Sequence, residues 1–370
     1  MLASASEDGT IKIWQLDGKL ISTISGHKNK IRSVSFSPDS QMIASASSDN
    51  TIKVWKKNGE LVSILTGHTG AVNKVKFSPD GQMIISASND GTIRYWSLSS
   101  NSIFTLGADN AKINSVSFSP DNQVIASAST DHTIKLWNRN GTLLDTLIGH
   151  SDSVNDIVFS PGNQIIASAS ADHTVKLWNS QGRLLNTLTG QFQREMHNLN
   201  FSPDGRIIAF TDLTTINIWK STGEHLSNIT KETDGPVFNV SFSPDSQAIA
   251  SHQKGYERAA STDEKVEIQR LDGTLITSIT GHSVNFSSDG QMMVSASQDG
   301  VVRLWQRDGR LLSNLAGHSK NVTDVNFTPN SQMIVSASED RTVKLWSRNG
   351  NLIETLEHPD SVNNLSFSPD

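Results

Sequence analysis

The chain has 370 residues, with 31 Lys and Arg against 37 Asp and Glu, a net charge of −6, and no Cys. This mild acidity argues against a broad basic surface for nucleic acid or anionic membranes, and the missing Cys excludes disulfides, thiolate metal sites and a cysteine nucleophile. No run of about 18 apolar residues occurs, and the first ten residues lack a basic segment followed by an apolar one, so a cytoplasmic chain with no membrane span or secretory leader is expected.

The chain opens on a run of apolar and small residues, Leu2-Ala3-Ser4-Ala5-Ser6, which aligns with Ile43-Ala44-Ser45-Ala46-Ser47 further on. A hairpin signal, Asp8-Gly9, separates it from an alternating segment that ends at Trp14. The same elements then return on a fixed clock. Nine Phe residues, each followed by Ser or Thr, stand at 36, 77, 118, 159, 201, 242, 286, 327 and 367, with spacings of 40 to 44 residues. All eight Trp keep the same beat, at 14, 55, 96, 137, 178, 219, 305 and 346, and Gln269 fills the one missing place. Nine units of about 41 residues therefore account for the chain, and a repeat architecture replaces the two or three domains that length alone suggests.

One unit shows the order of elements. Val72-Asn73-Lys74-Val75-Lys76-Phe77 alternates with period two and predicts a strand. Ser78-Pro79-Asp80-Gly81 is a turn, because Pro presets φ and Gly accepts positive φ. Met83 to Ser88 predicts a buried strand, Asn89-Asp90-Gly91 a tight hairpin, and Thr92 to Trp96 a third strand. A fourth strand is clearest after Asn58-Gly59, over Leu61 to Leu65. Four short antiparallel strands per unit, with no helical pattern, describe a propeller blade.

With a Gly-His start, a turn Asp about two dozen residues later and a Trp six residues beyond it, the units resemble the WD-repeat β-propeller family over the whole chain. Strings such as Ser-Ala-Ser-x-Asp-x-Thr-Ile-Lys-Leu-Trp are most similar to the highly regular bacterial, cyanobacterial-like arrays. The Trp-Asp pair itself never occurs; Gln, Lys, Ser or Asn follows each Trp. The resemblance implies an all-β fold, a single propeller over 1–370 built from four-stranded antiparallel blades. Nine blades are expected, or eight if the irregular seventh and eighth units merge, with the irregular sector at about 190–290. The terminal run Phe367-Ser368-Pro369-Asp370 aligns with Phe36–Asp39, so the C-terminal strand near Val362–Phe367 is expected to complete the N-terminal blade and remove an open edge. A cut from a longer array is the competing reading of these ends.

The resemblance also implies a buried hydrogen-bond chain of His, turn Asp, strand Ser and Trp indole in each blade, consistent with the rule that buried polar groups find partners. Six units carry the full set: His27, Ser45, Asp49, Trp55; His68, Ser86, Asp90, Trp96; His150, Ser168, Asp172, Trp178; His282, Ser295, Asp299, Trp305; His318, Ser336, Asp340, Trp346; and, across the closure, His358, Ser4, Asp8, Trp14. The fourth unit has Ala108 for His, the sixth Gln191, and the seventh Gln269 for Trp. Ser, His and Asp recurring in this way read as structure, not as catalytic triads, since a hydrolase needs one exposed nucleophile beside an oxyanion hole. His197, His225 and His252 lack the spacing of a metal site. No catalytic residue, metal or cofactor is expected.

Function is then expected on a rim, on loops held by a rigid scaffold. Family propellers bind partners on the Gly-His face. Lys30, Arg32, Asn73, Asn114, Asn155, His197 and Asn363 flank the start of the opening strands there. In the irregular sector Phe238, with Tyr256 and Arg258 from an insertion at 252–259, has the composition of an interface hot spot. The expectation is a non-enzymatic, monomeric scaffold for a protein or peptide partner, as in the sensor part of a larger bacterial signalling protein. Small-molecule or glycan binding in a central funnel is the alternative.

Overall fold

A computed structural model of the chain describes all residues except 79, 99–102, 107–112, 122, 139–140, 191–195, 213–214, 231–236, 254–264 and 369–370, and leaves the side chains of 103–106, 238, 239 and 253 undescribed. Among the described residues there are 36 strands and no helix, in nine four-stranded antiparallel sheets. The fold is an all-β, nine-bladed β-propeller. The irregular seventh and eighth units do not merge: each builds its own blade, from strands Val237–Phe242 to Leu275–Thr280 and Ser283–Phe286 to Leu311–Ala316.

The chain divides into two compact units. The first, Met1–Thr105 with Thr280–Asp370, holds the first, second, third, eighth and ninth blades; the second, Leu106–Ile279, holds the fourth to seventh. In the second blade the strands run Ile31–Phe36, Met42–Ser47, Ile52–Lys56 and Leu61–Leu65 in sheet order. Its opening strand buries Ile31, Val34 and Phe36, and a bulge between Ile31 and Ser33 resets the alternation that a plain strand would keep. Within each compact unit the core lies between successive blades. Ile31, Val34, Phe36, Ile43 and Trp55 of the second blade pack on Ala3, Ala5, Ile11, Ile13 and Ile24 of the first. Large aliphatic side chains buried there contribute roughly 1.5–3 kcal/mol each. Small buried Ala and Ser recur on the second strand of the regular blades, as in Ala44-Ser45-Ala46-Ser47 and Ala167-Ser168-Ala169-Ser170.

The first blade takes its opening strand from the other end of the chain. Val362–Phe367 pairs antiparallel with Leu2–Ser6, setting Leu2 opposite Phe367 and Ser4 opposite Leu365. Leu2 and Trp14 share a core with Val335, Leu345, Val362 and Leu365. The turns follow their sequence chemistry. In Ser37-Pro38-Asp39-Ser40 the Ser37 hydroxyl donates to Asp39 Oδ1 at 2.5 Å and accepts Met42 N–H at 2.9 Å, while Ser40 sits at φ 58°.

Candidate functional site

In a complete blade the Gly-His loop and the turn carrying Asp lie at the same end of the strands, joined by the buried network. In the second blade Trp55 Nε1–H donates to Ser45 Oγ at 2.9 Å, and Ser45 Oγ lies 2.7 Å from His27 Nε2. His27 Nδ1 lies 2.9 Å from Asp49 Oδ2. A carboxylate only accepts, so Nδ1 carries the proton, Nε2 accepts, and the Ser45 hydroxyl donates to it. Asp49 also accepts Lys28 N–H at 2.9 Å and both the N–H and hydroxyl of Thr51. Glycine before the histidine is set by a close approach: a Cβ on Gly26 would stand 2.9 Å from the Trp55 ring.

The third, fifth and ninth blades repeat this chain through His68, His150 and His318, with Nδ1 to Asp90, Asp172 and Asp340 at 2.8–2.9 Å and Nε2 to Ser86, Ser168 and Ser336 at 2.8 Å. Trp96, Trp178 and Trp346 close it at 2.8–2.9 Å. Burial pushes all four imidazoles below the ordinary histidine value, against the pull of the aspartates, so they are neutral. Burial opposes ionisation of Asp49 and Asp172, but the Thr hydroxyl, a loop N–H and the imidazole outweigh it and hold both carboxyls at about 2.

Two of the six expected sets are built differently. In the eighth blade His282 turns away from Ser295 and Asp299 and donates from Nε2 to Val322 O at 3.0 Å. Gly281 stands five residues before Phe286, where Gly67 stands ten before Phe77, and His282 N already pairs with Ala296 O at 2.9 Å. Without a loop the ring cannot fold back; Ser295 donates to Thr280 O instead and Asp299 pairs with Arg303, while Trp305 keeps Ser295 at 3.0 Å. In the first blade His358 Nε2 reaches Ser4 at 2.7 Å and Trp14 Nε1 reaches Ser4 at 2.9 Å, but among the described residues His358 Nδ1 is buried without a hydrogen bond and the Asp8 carboxylate accepts from Thr10 at 2.7–2.8 Å instead of from His358. The residue after His358 is Pro359, which has no N–H to draw the Asp carboxylate inward as Lys28 N–H does. Burial, with Lys12 nearby, takes His358 down to about 4.

The units lacking a full set also differ. In the fourth, Trp137 still donates to Ser127 at 2.9 Å and Lys135 occupies Asp131 at 2.6 Å; Ala108 lies outside the described residues. In the sixth, Phe210 stands at the Ser position, opposite Asn217, and the buried Trp219 Nε1–H has no acceptor. Its indole meets the His225 ring edge-on at 4.9 Å. In the seventh, Gln269 is buried at the Trp position, paired with Ile249, and Ser251 Oγ makes no hydrogen bond.

On the rim the structure brings several expected residues into pairs. Glu7 Oε1 takes Lys30 Nζ at 3.3 Å and Asn363 Nδ2 at 3.2 Å, joining both chain ends to the second blade. Exposed Arg32 donates to Ser48 Oγ at 2.7 Å, and Asn73 to Asn89 Oδ1 at 2.6 Å. Asn114 and Asn155 are used otherwise: their amides donate to Val154 O at 3.0 Å and Met196 O at 3.5 Å on the next blade. His197 is exposed at the start of its strand. Phe238 lies on Val237–Phe242, its side chain undescribed, and Tyr256 and Arg258 lie outside the described residues, as do Glu195 and Lys112.

Sequence reading missed the polar stitches along the opening strands. Asp156 Oδ2 accepts Leu199 N–H of the following blade at 2.9 Å and its Oδ1 accepts the Ser115 hydroxyl of the preceding one at 2.8 Å. Asp324 accepts Leu365 N–H at 3.2 Å, Asn364 accepts Val34 N–H at 3.4 Å, and Asn200 and Asn285 donate to Val240 O and Val325 O at 3.1 and 2.7 Å. The signal was a polar residue where alternation turns a side chain toward the neighbouring blade. Among the described residues no group of His, Asp and Glu is arranged to hold a metal ion, and no helix is long and apolar enough to cross a membrane.

Fold and network together define a repeat propeller whose blades are pinned by Trp, Ser, His and Asp. The family described as IFT122 first beta-propeller matches residues 1–251, and the family described as WD domain, G-beta repeat matches 273–306 and 309–347. The chain belongs to the WD-repeat β-propeller family. It is 44% identical over 45 residues to the human (Homo sapiens) WD repeat and SOCS box-containing protein 1, a stretch covering 12% of this chain and 11% of that protein's length. The crystal structure of the computationally designed Ika8 protein is similar with a TM-score of 0.63 at 27% identity, over 88% of this chain and 98% of that one. WD-repeat propellers generally mediate protein interactions and are generally non-catalytic.

Proposed function

We propose that this chain is a non-enzymatic scaffold that holds a protein or peptide partner on its Gly-His rim, as a cytoplasmic monomer or the recognition part of a larger bacterial signalling protein. The observation that carries the reading is saturation of the network. In four blades the Ser hydroxyl is buried between an indole N–H and an imidazole that is itself held by Asp, so none of these serines is an exposed nucleophile. Chemistry open to a partner then lies at the rim, in Lys30, Arg32, Asn73 and Asn363, with Phe238, Tyr256 and Arg258 as the aromatic and cationic anchors of the irregular sector.

The test is affinity capture from an extract of the source cells, with cross-linking and mass spectrometry, using wild type beside Lys30→Glu/Arg32→Glu and Phe238→Ala/Tyr256→Ala/Arg258→Ala. A partner cross-linked to the rim and lost from either variant at unchanged melting temperature supports the scaffold. A partner kept by both variants, or hydrolysis of a peptide or ester panel by the pure chain, overturns it.

A further inference from the structure

The opening strand of the third blade differs from all others in charge. Lys74 and Lys76 stand at alternate positions of Val72–Phe77, both exposed, between the buried Val72, Val75 and Phe77. The register pairs Lys74 with Ala87, as it pairs Ser33 with Ala46, Asp324 with Ala337 and Asn364 with Ala5. In the other eight units the two equivalent positions hold Ser, Asn, Asp or Val, never a cation. Several of those residues stitch one blade to the next: Asp324 binds Leu365 N–H, Asn364 binds Val34 N–H, and Asn285 binds Val325 O. Lys74 and Lys76 forgo such a stitch.

They also lack a counter-ion. Some cations of other blades have one: Lys30 has Glu7, Lys56 has Glu60, Arg303 has Asp299 and Arg348 has Asp289. Among the described residues the side chains of Lys74 and Lys76 have neither an ion pair nor a hydrogen bond. A strand rises about 3.4 Å per residue and turns alternate side chains to one face, so the two stems leave the sheet about 7 Å apart. In a chain of net charge −6, two adjacent unneutralised ammonium groups give up a stitch and repel each other with no return inside the fold. The hydroxyl of Ser35, on the neighbouring opening strand, adjoins them through its contact with Phe77 N–H at 3.5 Å.

We propose that Lys74 and Lys76 bind an extended acidic peptide segment whose carboxylates stand two residues apart. This rests on the scaffold reading above and names the chemistry of the partner. Such a segment has the same alternate spacing as the lysines, so both carboxylates meet both ammonium groups at once. A single small anion satisfies the charge but not the spacing.

The experiment uses the full chain and a fluorescein-labelled peptide with Glu at alternate positions, read by anisotropy at low and physiological salt. A control peptide has the same composition with its Glu residues adjacent, and inorganic pyrophosphate serves as competitor. The expected result is binding that weakens with salt, prefers the alternating peptide, falls at least about tenfold in Lys74→Gln/Lys76→Gln and survives in Lys74→Arg/Lys76→Arg. Melting temperatures of both variants separate lost binding from lost folding; if the Gln pair melts early, Lys74→Ala and Lys76→Ala singly take its place. Equal binding by a folded Gln variant overturns the site. Equal binding of both peptides, with displacement by pyrophosphate, overturns the peptide and leaves only an anion site. A rim partner retained by the Gln variant leaves the scaffold standing while this inference fails.

Discussion

The second and sixth blades bury the same Trp against the same kind of strand and treat its indole nitrogen in opposite ways. Trp55 donates to Ser45, which serves His27, which serves Asp49. Trp219 is also buried, but Phe210 replaces the serine and the indole N–H has no partner among the described residues. Among the described residues the sixth blade holds its Trp by packing, with Ile208, Phe210 and the edge of His225 around it. The blade tolerates this because it also packs apolar residues against its neighbours, Ala167, Ala169 and Val175 of the fifth blade meeting Ile208, Phe210 and Trp219 of the sixth. What the network adds is a pin between rim loop and core strand: the second blade ties loop Gly26-His27-Lys28 to strand and turn through three polar contacts, and Gln191, the sixth-blade counterpart of His, has no imidazole for such a tie.

The largest expected effect breaks the first blade, where the chain ends meet. Removing Val362–Asp370 exposes the edge of Leu2–Ser6 and uncovers Leu2 and Trp14, so thermal unfolding should shift down by many degrees with visible aggregation. A melt unchanged from wild type would show that the pairing is dispensable.

Next in size is acid dependence, where two kinds of aspartate oppose each other. Asp49 and Asp172 lie below their ordinary value when folded, so their stabilisation is present above about pH 4 and is lost as pH falls through about 2. Asp324 goes the other way. Burial raises it to about 6, against Leu365 N–H, Val325 N–H and Asn326, so its contribution is present below about pH 4 and is lost as pH rises through 6. Asp324→Asn keeps an acceptor for Leu365 N–H and cannot ionise. It should stabilise the protein at pH 7.5 by roughly 1–3 kcal/mol and leave stability at pH 4 nearly unchanged. Urea titrations at the two pH values measure this; equal effects at both would refute the buried-carboxylate account.

His68→Ala should cost about 1–3 kcal/mol by stranding Ser86 and Asp90. His282→Ala, losing one half-buried bond to a carbonyl, should cost less than about 1 kcal/mol. Equal costs in denaturant unfolding would mean that the two histidines do the same work. The smallest effect sharpens the opening contrast. Trp55→Phe should cost about 1–2 kcal/mol because Ser45 loses its donor, whereas Trp219→Phe removes an unsatisfied buried N–H and should be neutral or stabilising by up to about 1 kcal/mol. A larger loss at Trp219 than at Trp55, by differential scanning calorimetry, would reverse this comparison.

The blades themselves were legible in the sequence, because each element has a local cause. Alternation gives the strands, Asp-Gly and Ser-Pro-Asp-Gly give the turns, and a clock of about 41 residues gives nine of them. The match of Met1–Ser6 to Met42–Ser47 also pointed to the closing pair. The candidate site was legible only in part. His282 and His358 carry the same letters as His27, yet a shortened loop and a proline decide what their rings reach. The residues that meet at Glu7, Lys30 and Asn363, where the first blade adjoins the second, come from three parts of the chain and share no local pattern.

Periodicity, turn chemistry and the count of units were thus set by the sequence alone, since they depend on residues within a few positions of one another. The tertiary structure decided which buried polar atoms found partners. Phe210 removing the acceptor of Trp219, Pro359 withholding an N–H from Asp8, and Asp324 taking an N–H from the next blade all depend on groups brought within about 3 Å by folding, and at that range a hydrogen bond is made or lost over less than 1 Å.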